Sequence, residues 1–148
     1  MPTYTCIVAK GLLRDDQKRS VAAAITNAHS GVTGAPAFFA QVIFQEVPEG
    51  NHFIGGEPLG HDHIFVHGTI RGGRSADDRK ALINRLLDDV ARAAGVESFS
   101  VWVYLSELPP AAMAEFGHVL PQPGEEQTWI DSLSEEDRVR MQGMGGLA

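Results

Sequence analysis

The chain has 148 residues, enough for one domain with its own core or for two small fused halves. A composition of 43% apolar and 21% charged residues, with no long apolar run, is that of a globular protein and argues against a membrane partner. The net charge of −7, without any basic block, argues against nucleic acid, because phosphate binding needs clustered Lys and Arg. Cys6 is the single cysteine, which excludes an internal disulfide, and no basic region followed by an apolar stretch opens the chain, so a cytoplasmic location is expected.

The first predicted element is a strand over residues 3–8, "TYTCIV", rich in β-branched and aromatic residues. Pro2 stands at its mouth. Proline suits the first position of a strand, where no ladder bond is lost. After removal of the initiator methionine it would also carry a free secondary amine, an acid–base group on a rigid ring. Both readings are open from the opening residues alone. A helix follows over 15–34, where Val21, Ile25, Ala28 and Val32 recur at helical spacing, and then a strand within 39–48.

The second half repeats this order. A strand over 63–70 is followed by a helix over 77–95, with Leu82, Leu86, Val90 and Ala94 as its apolar stripe, and by a strand within 99–109. Asp15-Asp16 and Asp77-Asp78 are 62 residues apart, and the Glu-x-Pro ends at 46–48 and 107–109 are 61 apart. Ser75 with Asp78 has the form of a capping box, and Gly34 and Gly95 stand where the helices would stop. Each half therefore reads as β-α-β with a parallel crossover. The expected fold class is α/β (α+β): two fused units forming a four-stranded sheet with two helices on one face. We expect one domain over 1–148, with pseudo-repeats at about 2–60 and 61–120 and a C-terminal extension at about 121–148. The other sheet face, expected to carry Val42, Phe44, Phe65 or their neighbours, lacks cover and predicts a small closed oligomer. The alternative is a monomer in which "WIDSLSEEDRVRM" folds over that face.

Several side chains could carry chemistry. His29 lies on or beside the buried stripe of the first helix, either as a core histidine or as a hydrogen-bond donor to a pocket. Arg71 and Arg74, in "TIRGGRSADD", fall between a strand and a helix cap, where two guanidinium forks could converge on one carboxylate or simply be solvated. Tyr104 shares a strand face with Trp102, opposite Val101 and Val103. Glu115 lies in "PPAAMAEFG", read as a brief helix, where a solvated carboxylate is the simplest role. His61 and His63 have metal-ligand spacing on a strand, but no third ligand stands at a telling distance, so no metal is expected. Glycine-rich phosphate loops and nucleophile elbows do not occur.

Pro2, His29, Arg71, Arg74, Tyr104 and Glu115, set in "AITNAHSGVTG", "AQVIFQEVPEGN", "IFVHGTIRGGRSADD", "VWVY" and "EFGHVLPQPGEE", resemble the tautomerase superfamily, and most closely its cis-3-chloroacrylic acid dehalogenase group. The resemblance covers nearly the whole chain and thins over the last dozen residues. It implies the tautomerase fold, a homotrimer, and no cofactor or metal. It also implies a catalytic role for Pro2, Tyr104 and Glu115, and binding of a small carboxylate substrate by His29, Arg71 and Arg74. The implied reaction hydrates three-carbon unsaturated acids such as cis-3-haloacrylate or propiolate to malonate semialdehyde. The alternatives are keto–enol tautomerisation of a 2-keto acid such as phenylpyruvate, with Pro2 as base, and a non-catalytic trimeric binding module.

Overall fold

A computed structural model describes residues 2–144. Its strands and helices run in the order β1 (Thr3–Ala9), α1 (Asp15–Thr33), β2 (Gln41–Val47), β3 (Phe53–Ile54), β4 (Glu57–Pro58), β5 (Ile64–Arg71), α2 (Ala76–Ala94), β6 (Val101–Leu108), β7 (Ala114–Glu115), β8 (His118–Val119), α3 (Glu126–Ser132) and α4 (Glu135–Met144). The helices begin and end where local chemistry dictates. Ser75 caps α2 by accepting from the Asp78 N–H at 3.0 Å, and Gly34 and Gly95 close α1 and α2 in left-handed geometry. No helix among the described residues is long and apolar enough to cross a membrane.

The four long strands form one sheet in the order β2-β1-β5-β6. Pairing within each β-α-β unit is parallel, and the two units meet antiparallel through β1 and β5. Residues 37–39 form a 3₁₀ turn, which takes Phe39 out of the strand expected within 39–48, and a similar turn at 98–100 precedes β6. Proline at 36 favours the turn geometry at the first of these.

Alternation decides the two faces. Tyr4, Cys6 and Val8 of β1, Ile64, Val66 and Ile70 of β5, and Val101 of β6 pack against Val21, Ile25, Leu82, Leu86 and Val90 of the helices. Val42 and Phe44 pair with Tyr4 and Cys6, so they point towards the helices and join this core. This corrects the expectation that they face away, because paired residues share a face. Phe65 does lie on the open face, in register with Trp102, with Tyr104 beside them. Trp102 and Tyr104 are 43% and 57% exposed, so among the described residues this face stays largely open.

The C-terminal segment packs elsewhere. Leu133 and Met141, with Trp129, close a second core around Phe39 and Leu120 at one end of the sheet. The alternative in which this segment spreads over the sheet is therefore not what forms. A second correction concerns residues 114–119. They make a β7–β8 hairpin rather than a helix, turned by Phe116 and Gly117 with φ of 53° and 83°. A two-residue turn of this hand needs positive φ at both positions, and glycine at the second makes it accessible.

Candidate active site

The antiparallel ladder between β1 and β5 pairs Thr3 with Thr69, so Pro2 meets the chain next to Ile70, one residue short of Arg71. The Pro2 ring is fully buried, and its carbonyl accepts from the Gln41 N–H at 2.9 Å. The start of β1, the end of β5 and the start of β2 thus share one edge of the sheet.

His29 comes to the same region from the last turns of α1. It is 5% exposed, and its Nδ1 lies 2.8 Å from the Tyr4 hydroxyl, with the rings edge to face. Burial, and after it the charges of Arg74 and Arg71, lower its pKa to about 4, so the imidazole is neutral at neutral pH. Burial also raises the Tyr4 phenol, which stays protonated; the hydroxyl and Nδ1 share one hydrogen bond whose donor is set by the imidazole tautomer. With Tyr4 as donor, the proton of His29 sits on Nε2 and that nitrogen is a donor. Tyr4 escaped notice in the sequence, where it read as one more buried strand residue.

Arg71 and Arg74 are placed by different means. Arg71 ends β5 and is 5% exposed; its Nη1 donates to the Pro121 carbonyl at 2.9 Å and its Nη2 to Glu126. Arg74 donates to the Thr33 carbonyl at 3.1 Å, setting a cation at the C-terminus of α1, and Arg79 holds the Arg74 carbonyl at 2.7 Å. Between the arginines, Gly73 has φ of +103°, and a Cβ there would fall 2.8 Å from Pro123 Cγ. A side chain fits neither the backbone angle nor the space. His29, Ala35, Arg71 and Arg74 line one narrow cleft of about 10 Å³, flanked by the two guanidinium groups.

Glu115 reaches the same end of the sheet on the β7–β8 hairpin. It lines a cavity of about 540 Å³ with Thr3, Gln41 and Thr69, the residues flanking Pro2 in the ladder. Phe38, Phe39, Met113 and Phe116 form the apolar wall of that cavity. Tyr104 stands apart. Its ring lines a different cavity of about 350 Å³ on the open sheet face, beside Phe65 and Trp102. His29, Arg71 and Arg74 thus line one cleft and Glu115 a second cavity bordered by Thr3 of β1, while Tyr104 lies apart from both on the open sheet face.

His61 and His63 do not become a metal centre in this arrangement. His63 is buried between His52 and Trp102, each ring centroid 5.1 Å away, and His61 Nδ1 meets the Asp62 carbonyl at 2.9 Å. Among the described residues, no group of three His, Cys, Asp or Glu side chains is placed to hold a metal ion.

Comparison with known proteins places this arrangement in a family. The family model described as "Putative oxalocrotonate tautomerase enzyme" matches residues 1–133. No curated protein matches the sequence. Among solved structures, the chain is similar to N1, a member of the cis-3-chloroacrylic acid dehalogenase family, with 30% identity and a TM-score of 0.92 over 95% of this chain and 99% of that one. It is similar to native Ps01740 at 31% identity and a TM-score of 0.71, over 76% of this chain and 99% of that one. A fused 4-OT that forms an asymmetric trimer shares the fold at 23% identity and a TM-score of 0.73, over 79% of this chain and 94% of that one. With a family model spanning most of its length and this fold, the chain belongs to the tautomerase superfamily, in its cis-3-chloroacrylic acid dehalogenase-like group.

Proposed function

We propose that the protein is a cofactor-independent hydratase and dehalogenase of small unsaturated acids, with Pro2 as its acid once Met1 is removed. The observation that carries this reading is the cleft of His29, Arg71 and Arg74 next to the start of β1. It sets two guanidinium groups and a neutral imidazole around one space, and with Tyr4 donating to Nδ1 the imidazole offers its Nε2–H to a carboxylate. These three residues hold the substrate carboxylate and draw electron density towards it. Glu115 takes a proton from water, whose oxygen bonds to C-3, and the Pro2 ammonium delivers a proton to C-2. A halogen on C-3 then leaves as halide while the hydroxyl loses its proton, giving malonate semialdehyde. Propiolate gives the enol of the same product directly.

Tyr104 enters this scheme through assembly. It lies on the uncovered sheet face, so it acts in a site completed by a neighbouring subunit. The trimeric state of a fused 4-OT of the same fold supports a homotrimer closed through these faces.

A second reading is favoured by one feature, the apolar wall of the 540 Å³ cavity. Four large apolar side chains offer more than a three-carbon acid fills and accommodate the ring of phenylpyruvate, for which neutral Pro2 would act as base in keto–enol exchange. A turnover screen with cis-3-chloroacrylate, propiolate and phenylpyruvate, on protein whose mass shows Met1 removed, tests both. Malonate semialdehyde from the first two substrates is the expected result. Turnover of phenylpyruvate alone would establish the tautomerase, and turnover of none would leave a binding module.

A further inference from the structure

We propose that Glu126 is a positioning residue of the carboxylate clamp, fixing the Arg71 guanidinium from behind and so making the C-terminal segment part of the substrate site. This rests on Arg71 holding the substrate carboxylate, as proposed above.

Arg71 is almost wholly withdrawn from water, and a guanidinium so placed needs acceptors. Its two described partners both come from the short stretch 121–126, the Pro121 carbonyl on Nη1 and the Glu126 carboxylate on Nη2. The fork has five N–H bonds. Two go to the C-terminal segment, and the guanidinium still borders the cleft shared with His29 and Arg74.

Glu126 is itself fixed. While Oε1 accepts from Arg71, Oε2 accepts from the Gly124 N–H at 2.7 Å. Partial burial is the largest single influence and raises its pKa, but the hydrogen bond and charge of Arg71 together with backbone N–H donors lower it on balance, so the carboxylate is ionised at neutral pH. A glutamine cannot reproduce this arrangement, because its amide nitrogen would face one of the two donors. Pro123 packs against Gly73, between the two clamp arginines, so the segment is seated against the clamp at a second point.

Electrostatics alone and positioning predict opposite effects. A carboxylate beside the cleft weakens its pull on an anion, so if Glu126 were only a counter-charge, removing it would tighten substrate binding. If it holds the guanidinium in register, removing it loosens binding despite the gain in positive charge.

The probe is propiolate, with affinity read as KM where it is turned over and as Kd from an NMR titration otherwise. The enzymes are wild type, Arg71→Ala, Glu126→Gln and Glu126→Asp. We expect Glu126→Gln to weaken affinity by at least about tenfold with a smaller change in kcat. Glu126→Asp, which keeps the charge and both acceptors, should recover part of the loss at unchanged thermal stability. Should Glu126→Gln lower the unfolding temperature, the aspartate variant carries the test, with partial loss expected. Unchanged or tighter binding in both Glu126 variants, with Arg71→Ala inactive, overturns the positioning role and leaves the clamp. Unaltered affinity in Arg71→Ala, or no binding by wild type, overturns the clamp itself and the positioning role with it.

Discussion

The Tyr4 hydroxyl and His29 Nδ1 meet at 2.8 Å inside the core, joining the first strand to the far end of the first helix. We expect the phenol to donate to Nδ1, which fixes the imidazole tautomer with the N–H on Nε2. Nitrogen NMR of the imidazole should show Nδ1 bare and Nε2 protonated at pH 7. Tyr4→Phe should remove that preference, cost about 1–2 kcal/mol of stability by leaving a buried acceptor unpaired, and lower turnover. An unaltered tautomer in the phenylalanine variant would show that another group sets it.

Acid should destabilise the fold through His29. The folded-state pKa of about 4 lies below the ordinary 6.5, so the unfolded chain binds more protons between those values. Stability from the neutral imidazole is therefore complete above about pH 6.5 and is lost as pH falls towards 4, by about 3 kcal/mol in all. Urea unfolding at several pH values should show this slope, and His29→Gln should flatten it. The same slope in the glutamine variant would assign the effect to other groups.

Gly68 pairs directly with Tyr4, and a Cβ at that position would fall 2.5 Å from Tyr4 Cε1 and 2.9 Å from Leu105 Cδ2. Tyr4 is fully buried and Leu105 is half-buried against the same core, which limits how far either can swing away. Gly68→Ala should destabilise by about 1–3 kcal/mol and displace the Tyr4 ring from His29. Chemical denaturation, together with the His29 NMR signal, checks both. A neutral substitution would mean that the ring relocates without consequence.

Glu115 should separate the two proposed reactions. Hydration needs a group to activate water, whereas tautomerisation uses no water nucleophile. Glu115→Gln should reduce propiolate hydration by two orders of magnitude or more, on the scale of about 10²–10⁴ for a lost general base, and reduce phenylpyruvate turnover far less. Equal losses in both assays would place Glu115 in binding rather than in water activation.

Assembly is tested through the open sheet face. Sedimentation should give a trimer at micromolar concentration, and Trp102→Asp, which puts a charge on that face, should dissociate it. Dissociation should also remove hydration, because Tyr104 would lose the neighbouring site. A stable, active monomer would return Tyr104 to a purely surface role.

Much of the architecture is written locally. Val21, Ile25 and Ala28, like Leu82, Leu86 and Val90, repeat at helical spacing because one side of each helix must leave water, and the same pattern appears in both halves. Alternation along β6 likewise assigns Val101 and Trp102 to opposite faces without reference to any other strand. Alternation does not say which face of a strand meets the helices. Val42 and Phe44 could be placed only once β2 was registered against β1, since a half-turn of the strand exchanges its two sides. The hairpin holding Glu115 was obscured for a related reason, as proline and glycine punctuate short helices and tight turns alike.

The six candidate residues could be picked out in the sequence as types able to bind an anion and move protons. Their grouping could not. The Tyr4–His29 bond spans 25 positions and the Arg71–Glu126 pair spans 55, and neither leaves a periodic trace, because each is a single contact made where separate elements meet. The antiparallel meeting of β1 and β5 brings Pro2 to the end of β5, one residue short of Arg71, while packing of the C-terminal segment supplies Arg71 with acceptors. Local patterning determined the two β-α-β units, for burial is a property each element can express alone. Tertiary structure decided which candidate residues come near one another and that Tyr104 lies apart from them, for those depend on how finished elements are set against one another.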